Sequence, residues 1–266
     1  MKSLFPISLF PASLFKAEFK RRWSMMKAYP AQEIAEVIFL AVFFYMLFLG
    51  AKFMAGPTAN FGERLDAIVV GYVVWLLMIS TYSGIASALY SESVSGTVEQ
   101  LMMSPHRLTR IFFARTMADV AFSLGVTFIV ATLIMFLTGS RLIVSPLMVI
   151  PILGVILAST GLGFIVGSLV FVFKQVRTVQ MVLQFTLLFG VMVPIETWSK
   201  AAGLAGSLLP VSPGAASLRI LLVNGQFDVT FAVLALANGL LYLAAGTWLF
   251  RKLEARAKQR GMVGHY

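Results

Sequence analysis

The sequence contains no cysteine and only two histidines, and charged residues make up just 12% of it. The first absence removes disulfides, thiolate metal sites and cysteine nucleophiles. His106 and His265 are lone and far apart in sequence, so no metal site is assigned. No Gly-x-x-x-x-Gly-Lys-Ser/Thr segment occurs, and the chain therefore lacks a nucleotide phosphate loop of that kind. Neither a Ser/His/Asp set nor an acidic dyad falls within an apolar run, which argues against an intramembrane enzyme. Although the formal charge is +10, the basic residues lie between apolar runs instead of along an aromatic-interleaved face, and this argues against nucleic acid as a partner. The start, Met1 to Pro11, has one lysine, two prolines and no small-residue cleavage pattern, unlike a removable signal peptide.

What is present is hydrocarbon. With 59% hydrophobic residues and a mean hydropathy of +0.89, the 266-residue chain reads as an all-α polytopic membrane protein. A spanning helix needs about 20 mostly apolar residues. Six segments qualify: Ile34 to Met54, Ala67 to Tyr90, Thr116 to Thr138, Ile143 to Phe173, Val179 to Trp198 and Thr230 to Phe250. The fourth is longer than a span requires, and Pro146 and Pro151 place its first turns at the interface or in a kink. Six spans put both termini on one side. If that side is the cytoplasm, the inside segments hold 16 lysines and arginines and the outside segments 5. Positive charge concentrates on the cytoplasmic side of a membrane protein, so the orientation follows, in a plasma or inner membrane.

Two regions flank this pattern. Residues 1–30 form an N-terminal region in which Phe15, Phe19, Trp23 and Met26 recur at helical spacing while Lys16, Lys20, Arg21 and Lys27 point elsewhere. Such a helix suits the headgroup layer and membrane lipid, and Pro30 turns the chain into the bilayer. Residues 31–266 form the transmembrane domain. Its outer segment, 199–229, is rich in Leu, Ala, Gly and Val, more apolar than a water-exposed loop. It is expected to form two short re-entrant helices meeting at Pro210 and Pro213 and capping the outer end of a pathway.

Between the second and third spans lies the cytoplasmic segment 91–104. Gly96 is expected to cap a helix that Thr97 begins, with Glu99 in the first turn facing the positive end of the helix dipole. Val98, Leu101 and Met102 share a face at spacings of three and four. Pro105 stops the helix, and Ser104-Pro105 can begin the next. The expected product is a short rigid knob, suited either to a groove on a partner or to an ordinary interfacial link.

Among the remaining polar residues, Arg115 and Asp119 are four apart and expected to pair on one helix face. Glu33 and Glu36 are expected to contact basic neighbours at the start of the first span. Glu196, beside Pro194, is placed at the outer mouth, against substrate or headgroups. Gln180, Gln184 and Thr186 either face a translocation path or bond to neighbouring helices. Ser159, Gly163 and Gly167 recur every four residues, the small-residue pattern of close helix packing. Tyr72, Trp75, Tyr82 and Phe185 read as packing before they read as an aromatic lining. Arg251 to Arg260 anchors the end of the chain to the membrane surface.

In its order of motifs the sequence resembles the permease subunits of type-2 ABC exporters. That family carries an acidic residue, Gly-Thr, Glu-x-Leu and Ser/Thr-Pro after its second span. Here these are Glu92, Gly96-Thr97, Glu99-Gln100-Leu101 and Ser104-Pro105. Gly190 to Pro194 and Leu209 to Pro213, followed by Leu218-Arg219, match its signatures before the last span. The resemblance implies that Glu92, Gly96, Thr97, Glu99, Leu101 and Pro105 couple to a separate ABC ATPase present in two copies. ATP and Mg would bind on that ATPase, and no cofactor on this chain. It also implies a second permease copy, most simply a homodimer, with Gln180, Gln184, Pro194, Glu196, Pro210 and Pro213 at the pathway or outer gate. The glycan-exporter branch carries a Leu-Gly…Trp pattern that is absent between Lys27 and Phe44, so the resemblance leans toward export of drugs, lipids or other amphipathic small molecules. The alternative reading is an ion-coupled secondary transporter or channel. It calls for a charge at midplane, whereas these charges sit at the span edges.

Overall fold

A computed structural model describes residues 12–55, 62–104, 107–140, 142–171 and 177–259. Helix α1 covers Ala12–Ala28, α2 Pro30–Ala55, α3 Gly62–Val94, α4 Val98–Met103 and α5 Leu108–Thr138. Helix α6 follows over Val149–Leu169, α7 over Arg177–Met192, α8 over Lys200–Gly206, α9 over Ser212–Asn224 and α10 over Val229–Gln259. No strand occurs among the described residues. Among the described residues six helices are long and apolar enough to cross a membrane, as the hydropathy pattern predicts. Pro105 and Met1 to Pro11 lie outside the described residues.

Helix boundaries differ from the apolar runs because an apolar run marks only what lies in hydrocarbon. Helix α3 has 33 residues, so at 1.5 Å per residue it is about 50 Å long. It outruns a core about 30 Å thick, and Ser91 to Val94 continue it instead of forming a loop. Helix α5 likewise begins at Leu108, eight residues before the apolar run that predicted it, and α10 runs on to Gln259. The expected N-cap role of Ser104 is not met: Arg107 caps α5, and Ser104 ends α4. Ile143, expected to open the fourth span, lies outside the helix and donates its N–H to the Leu222 carbonyl at 2.8 Å. The span itself starts with a single 3₁₀ turn at Pro146–Met148.

Helices α3 and α6 are the core. In each, 67% of the most apolar window is buried, against 11% for α2 and 22% for both α5 and α7. The outer helices accordingly leave large apolar side chains uncovered, among them Phe39, Phe53, Phe136 and Phe189. That is the reverse of a water-soluble bundle and fits a lipid-facing rim. The Gly163 and Gly167 row faces Ile85 and the Tyr82 carbonyl of α3, as the small-residue pattern predicts. A second row was not foreseen. Gly154 and Gly161 of α6 meet Gly239 and Gly246 of α10 backbone to backbone, and the two helices form the most extensive contact in the fold.

Three of the four large aromatics of α3 fasten its neighbours. Tyr72 donates to the Leu40 carbonyl of α2 at 2.7 Å, Trp75 to the Gln184 carbonyl of α7 at 3.3 Å, and Tyr82 to the Gln180 carbonyl of α7 at 3.0 Å. These are packing residues and not a lining, while Phe185 faces outward.

The end of α3 corrects another expectation. Gly96 does not cap α4 at its start; it terminates α3. Its φ is +68°, its N–H bonds to the Ser93 carbonyl at 3.2 Å, and the Thr97 N–H bonds to the Glu92 carbonyl at 3.0 Å. This is a Schellman motif with glycine in the left-handed position. Thr97 then becomes the N-cap of α4. A Gly96→Ala chain is expected to unfold with about 1 kcal/mol less stability, the cost of a Cβ at positive φ. A thermal unfolding midpoint in detergent equal to the parent's would refute the assignment.

Candidate functional site

At the end of the bundle that carries α1, α4 and the last turns of α10, Arg115 is the hub. Its side chain is 12% exposed. Its Nη1 donates to Glu92 at 3.2 Å and its Nε to Glu18 at 3.4 Å, and its guanidinium lies over the Phe112 ring at 5.5 Å. The second carboxylate oxygen of Glu92 accepts from the Thr97 hydroxyl. One arginine on α5 therefore ties the last turn of α3, the cap of α4 and the middle of α1 together. Charge-assisted hydrogen bonds of this kind, partly shielded from water, hold geometry better than exposed pairs.

The expected Arg115–Asp119 pair does not form. Arg115 is occupied by Glu18 and Glu92, and Asp119 instead stands 3.9 Å from Arg22 of α1. Arg22 in turn makes a bidentate pair with Glu33 at 2.8 and 3.1 Å, the basic contact expected for Glu33. Helix α1 thus meets the bundle through Glu18 and Arg22 as well as through Phe19, whose ring lies tilted 4.8 Å from that of Phe122. Periodicity alone gives α1 an aromatic and a basic face and leaves Glu18 without a role. Its position three residues before Arg21 and four before Arg22 was the available signal.

Helix α4 is oriented differently from expectation. Val98 is buried and Leu101 half-buried against a cluster containing Leu89, Phe112 and Phe250, so the apolar face packs on its own bundle. The outward side carries Gln100 and Met103, the latter 79% exposed. Glu99 occupies the first turn of the helix, as the sequence predicts. Glu92 turns inward, and its carboxylate is engaged within the chain. The segment is seated on the bundle, with Met103 at its free edge.

The opposite end is built around α9. Residues Ser212 to Arg219 are buried throughout, so this helix plugs the bundle against α3, α6 and α10. Arg219 donates to Glu196 at 2.6 and 3.0 Å, to the Val191 carbonyl at 2.7 Å and to the Val193 carbonyl at 2.9 Å. It satisfies the carbonyls freed where Pro194 breaks α7. Glu196 is therefore held by protein, in place of the substrate or headgroup contact expected for it. Pro213 is buried in the first turn of α9, and Pro210 lies half-buried in the preceding turn. Beside the ion pair is a cavity of about 610 Å³ lined by Ile68, Met192, Pro194, Glu196 and Arg219 among others.

Asn238, on α10, was missed in the sequence. Its amide accepts from the Val211 N–H at 3.3 Å and donates to the Ser207 and Leu209 carbonyls at 2.8 and 3.2 Å. It thereby holds the turn between α8 and α9, where Val211 sits at φ +70°, a strained angle for a β-branched residue. A single amide inside an apolar span must find partners, and that was the legible signal. Gln180 bonds to the Ser83 carbonyl and Ser87 hydroxyl of α3, both at 3.5 Å, so it joins helices. Gln184 is half-buried at the same seam, and Thr186 is exposed.

Comparison with known families places the arrangement. A family model described as ABC-2 type transporter matches residues 12–223, from the start of α1 to the last turn of α9. No curated protein matches the chain.

Proposed function

The chain belongs to the ABC-2 type transporter family, a multi-pass membrane permease, and from that premise we propose that it exports an amphipathic small molecule, drug or lipid from the cytoplasm. A glycan is the less favoured cargo. Work comes from a separate ABC ATPase in two copies, which binds ATP and Mg; this chain supplies no ATPase site and no cofactor. The end bearing α1 and α4 is cytoplasmic, in accord with the 16 to 5 distribution of basic residues. Two permease copies pair about a two-fold axis, the commonest closed symmetry.

The observation that carries the reading is the Glu92–Arg115–Glu18 link. Force applied to the outer edge of α4 reaches α3 through the Thr97–Glu92 contact, α5 through Arg115 and α1 through Glu18. A displacement of α4 is thus delivered to several helices at once instead of being absorbed by one loop. The α9 plug and its Arg219–Glu196 latch form the outer gate that this motion opens.

Docking and transmission separate experimentally. Met103→Arg is expected to weaken binding of the cognate ATPase about tenfold, the effect of losing one good interface anchor. Arg115→Met is expected to leave ATPase binding near the parent value and to abolish substrate-stimulated ATP hydrolysis and transport in vesicles. Both are measured on the co-purified complex. Full binding by Met103→Arg together with normal stimulation in Arg115→Met would sink the proposal.

A further inference from the structure

A second cavity, of about 540 Å³, lies between α1, α2, α3 and α5. Its lining changes with depth on each spanning helix. Moving away from α1, Glu36 gives way to Phe39 and Leu40 on α2, Ser83 to Ile79 and Leu76 on α3, and Asp119 to Val126 on α5, with Ser80 and Thr127 the deepest hydroxyls. From Asp119 to Val126 is about 10 Å along a helix. That is the profile of an amphiphile, head toward α1 and tail toward the bilayer centre.

The polar half is short of donors. Ser83 and Ser123 donate their hydroxyl protons to the Ile79 and Val120 carbonyls, which leaves oxygen lone pairs to offer. Of the two guanidiniums at the rim, Arg22 gives both Nη groups to Glu33, and Arg21 gives its Nε to Glu18 at 2.7 Å. Lys16, Lys20 and Lys27 of α1 do not line the cavity. By contrast, Glu36 makes no hydrogen bond among the described residues, and Asp119, which lies in the field of Arg21, Arg22 and Arg115, is approached within ion-pair distance only by Arg22, at 3.9 Å. No three carboxylates or imidazoles converge as metal ligands among the described residues. In a chain with ten excess positive charges, this cavity presents two carboxylates whose demand for donors is unmet. Such groups in a low-dielectric site call for a cation.

We propose that this cavity binds an ammonium-bearing amphiphile, with Asp119 and Glu36 as counter-ions, Ser83 and Ser123 accepting its N–H groups, and Phe39, Leu40 and Leu76 along its tail. The proposal rests on the exporter reading for its physiological meaning and names the chemical class of the cargo. It takes the cavity as an inner-leaflet site reached from the side of α2, the least buried span.

The test uses the purified full chain in discs of neutral lipid and three fluorescent probes that share one alkyl tail and differ in head: ammonium, alcohol and sulfate. The ammonium probe is expected to bind at least about tenfold more tightly than the alcohol, since charge-assisted bonds are roughly twice as strong as neutral ones. The Glu36→Gln, Asp119→Asn double variant is expected to erase that preference. A Cβ on Gly84 meets only an Asp119 carboxylate oxygen, at 3.9 Å. Gly84→Met therefore fills the cavity with both carboxylates retained, and it is expected to abolish ammonium binding at an unchanged unfolding midpoint. Preference for the sulfate, indifference to the head, or full ammonium binding by Gly84→Met overturns the site. ATPase association is measured on the same preparations. A complete complex without ammonium preference overturns the site alone, whereas ammonium preference without any ATPase association overturns the exporter reading and leaves the site standing.

Discussion

Replacing Gly161 by valine is expected to separate α6 from α10 and to remove about 3 kcal/mol of stability, the upper end of overpacking penalties. A Cβ built on Gly161 would lie 2.2 Å from the Tyr242 carbonyl carbon, and one on Gly246 would lie 2.2 Å from the Gly161 oxygen. Neither obstacle is a side-chain tip that can rotate away. Both are helix backbone, so relief requires moving one helix against the other, and the same movement opens the Gly154–Gly239 contact seven residues away. In hydrocarbon, helices gain no hydrophobic drive from meeting each other and depend on close van der Waals packing. The contact therefore cannot be replaced by a looser one at little cost. Thermal unfolding in detergent reads the effect. Gly190→Ala is the control: nothing lies within 4 Å of its Cβ position, so its midpoint is expected to stay at or above the parent's. Equal midpoints for Gly161→Val and Gly190→Ala would show that α6 and α10 do not pack this way.

Arg219→Met is expected to cost about 3–5 kcal/mol, the range for removing one partner of a buried ion pair. The Arg219 side chain is 5% exposed and that of Glu196 14%, so the carboxylate left behind has little water to turn to. The Val191 carbonyl loses the Arg219 donor as well, and the Val193 carbonyl keeps only the Ile195 N–H at 3.0 Å. Removing Glu196 with Arg219 should restore part of the loss, because the stranded charge goes with it, but not the part due to the carbonyls. The unfolding midpoint should therefore rank parent, double variant, Arg219→Met. The latch also has a functional signature. Arg219→Met should let a small solute leak through vesicles containing the assembled transporter without ATP, while Gly190→Ala vesicles stay tight. An Arg219→Met midpoint at or above that of the double variant would remove the latch from the account.

Much of this architecture is readable from composition because the bilayer imposes one dominant constraint. Every backbone polar group in hydrocarbon must be bonded within its own helix, so length and apolarity alone locate six spans. Lysine and arginine placement supports their orientation, and Pro30, Pro194 and Pro213 mark where helices start or stop. The small-residue spacing of Gly163 and Gly167 likewise announces a close helix contact. The partner of that contact is another matter. Gly154, Gly161, Gly239 and Gly246 each look like an isolated glycine until α6 and α10 are laid together.

What the sequence by itself determined is the class: the apolar runs, the unequal distribution of positive charge and the ordered motifs from Glu92 to Arg219. Those features depend on the solvent and on local chain geometry, which act on each segment separately. Only the tertiary structure decided which charges meet. Arg115 bonds to Glu92 and Glu18 instead of to Asp119 four residues away, Arg219 latches Glu196, and Val98 and Leu101 turn inward, leaving Met103 at the edge. An ion pair needs two groups within about 4 Å. For residues 97 positions apart, such as Glu18 and Arg115, that distance is set by how every helix between them packs, and no periodicity in the sequence records it.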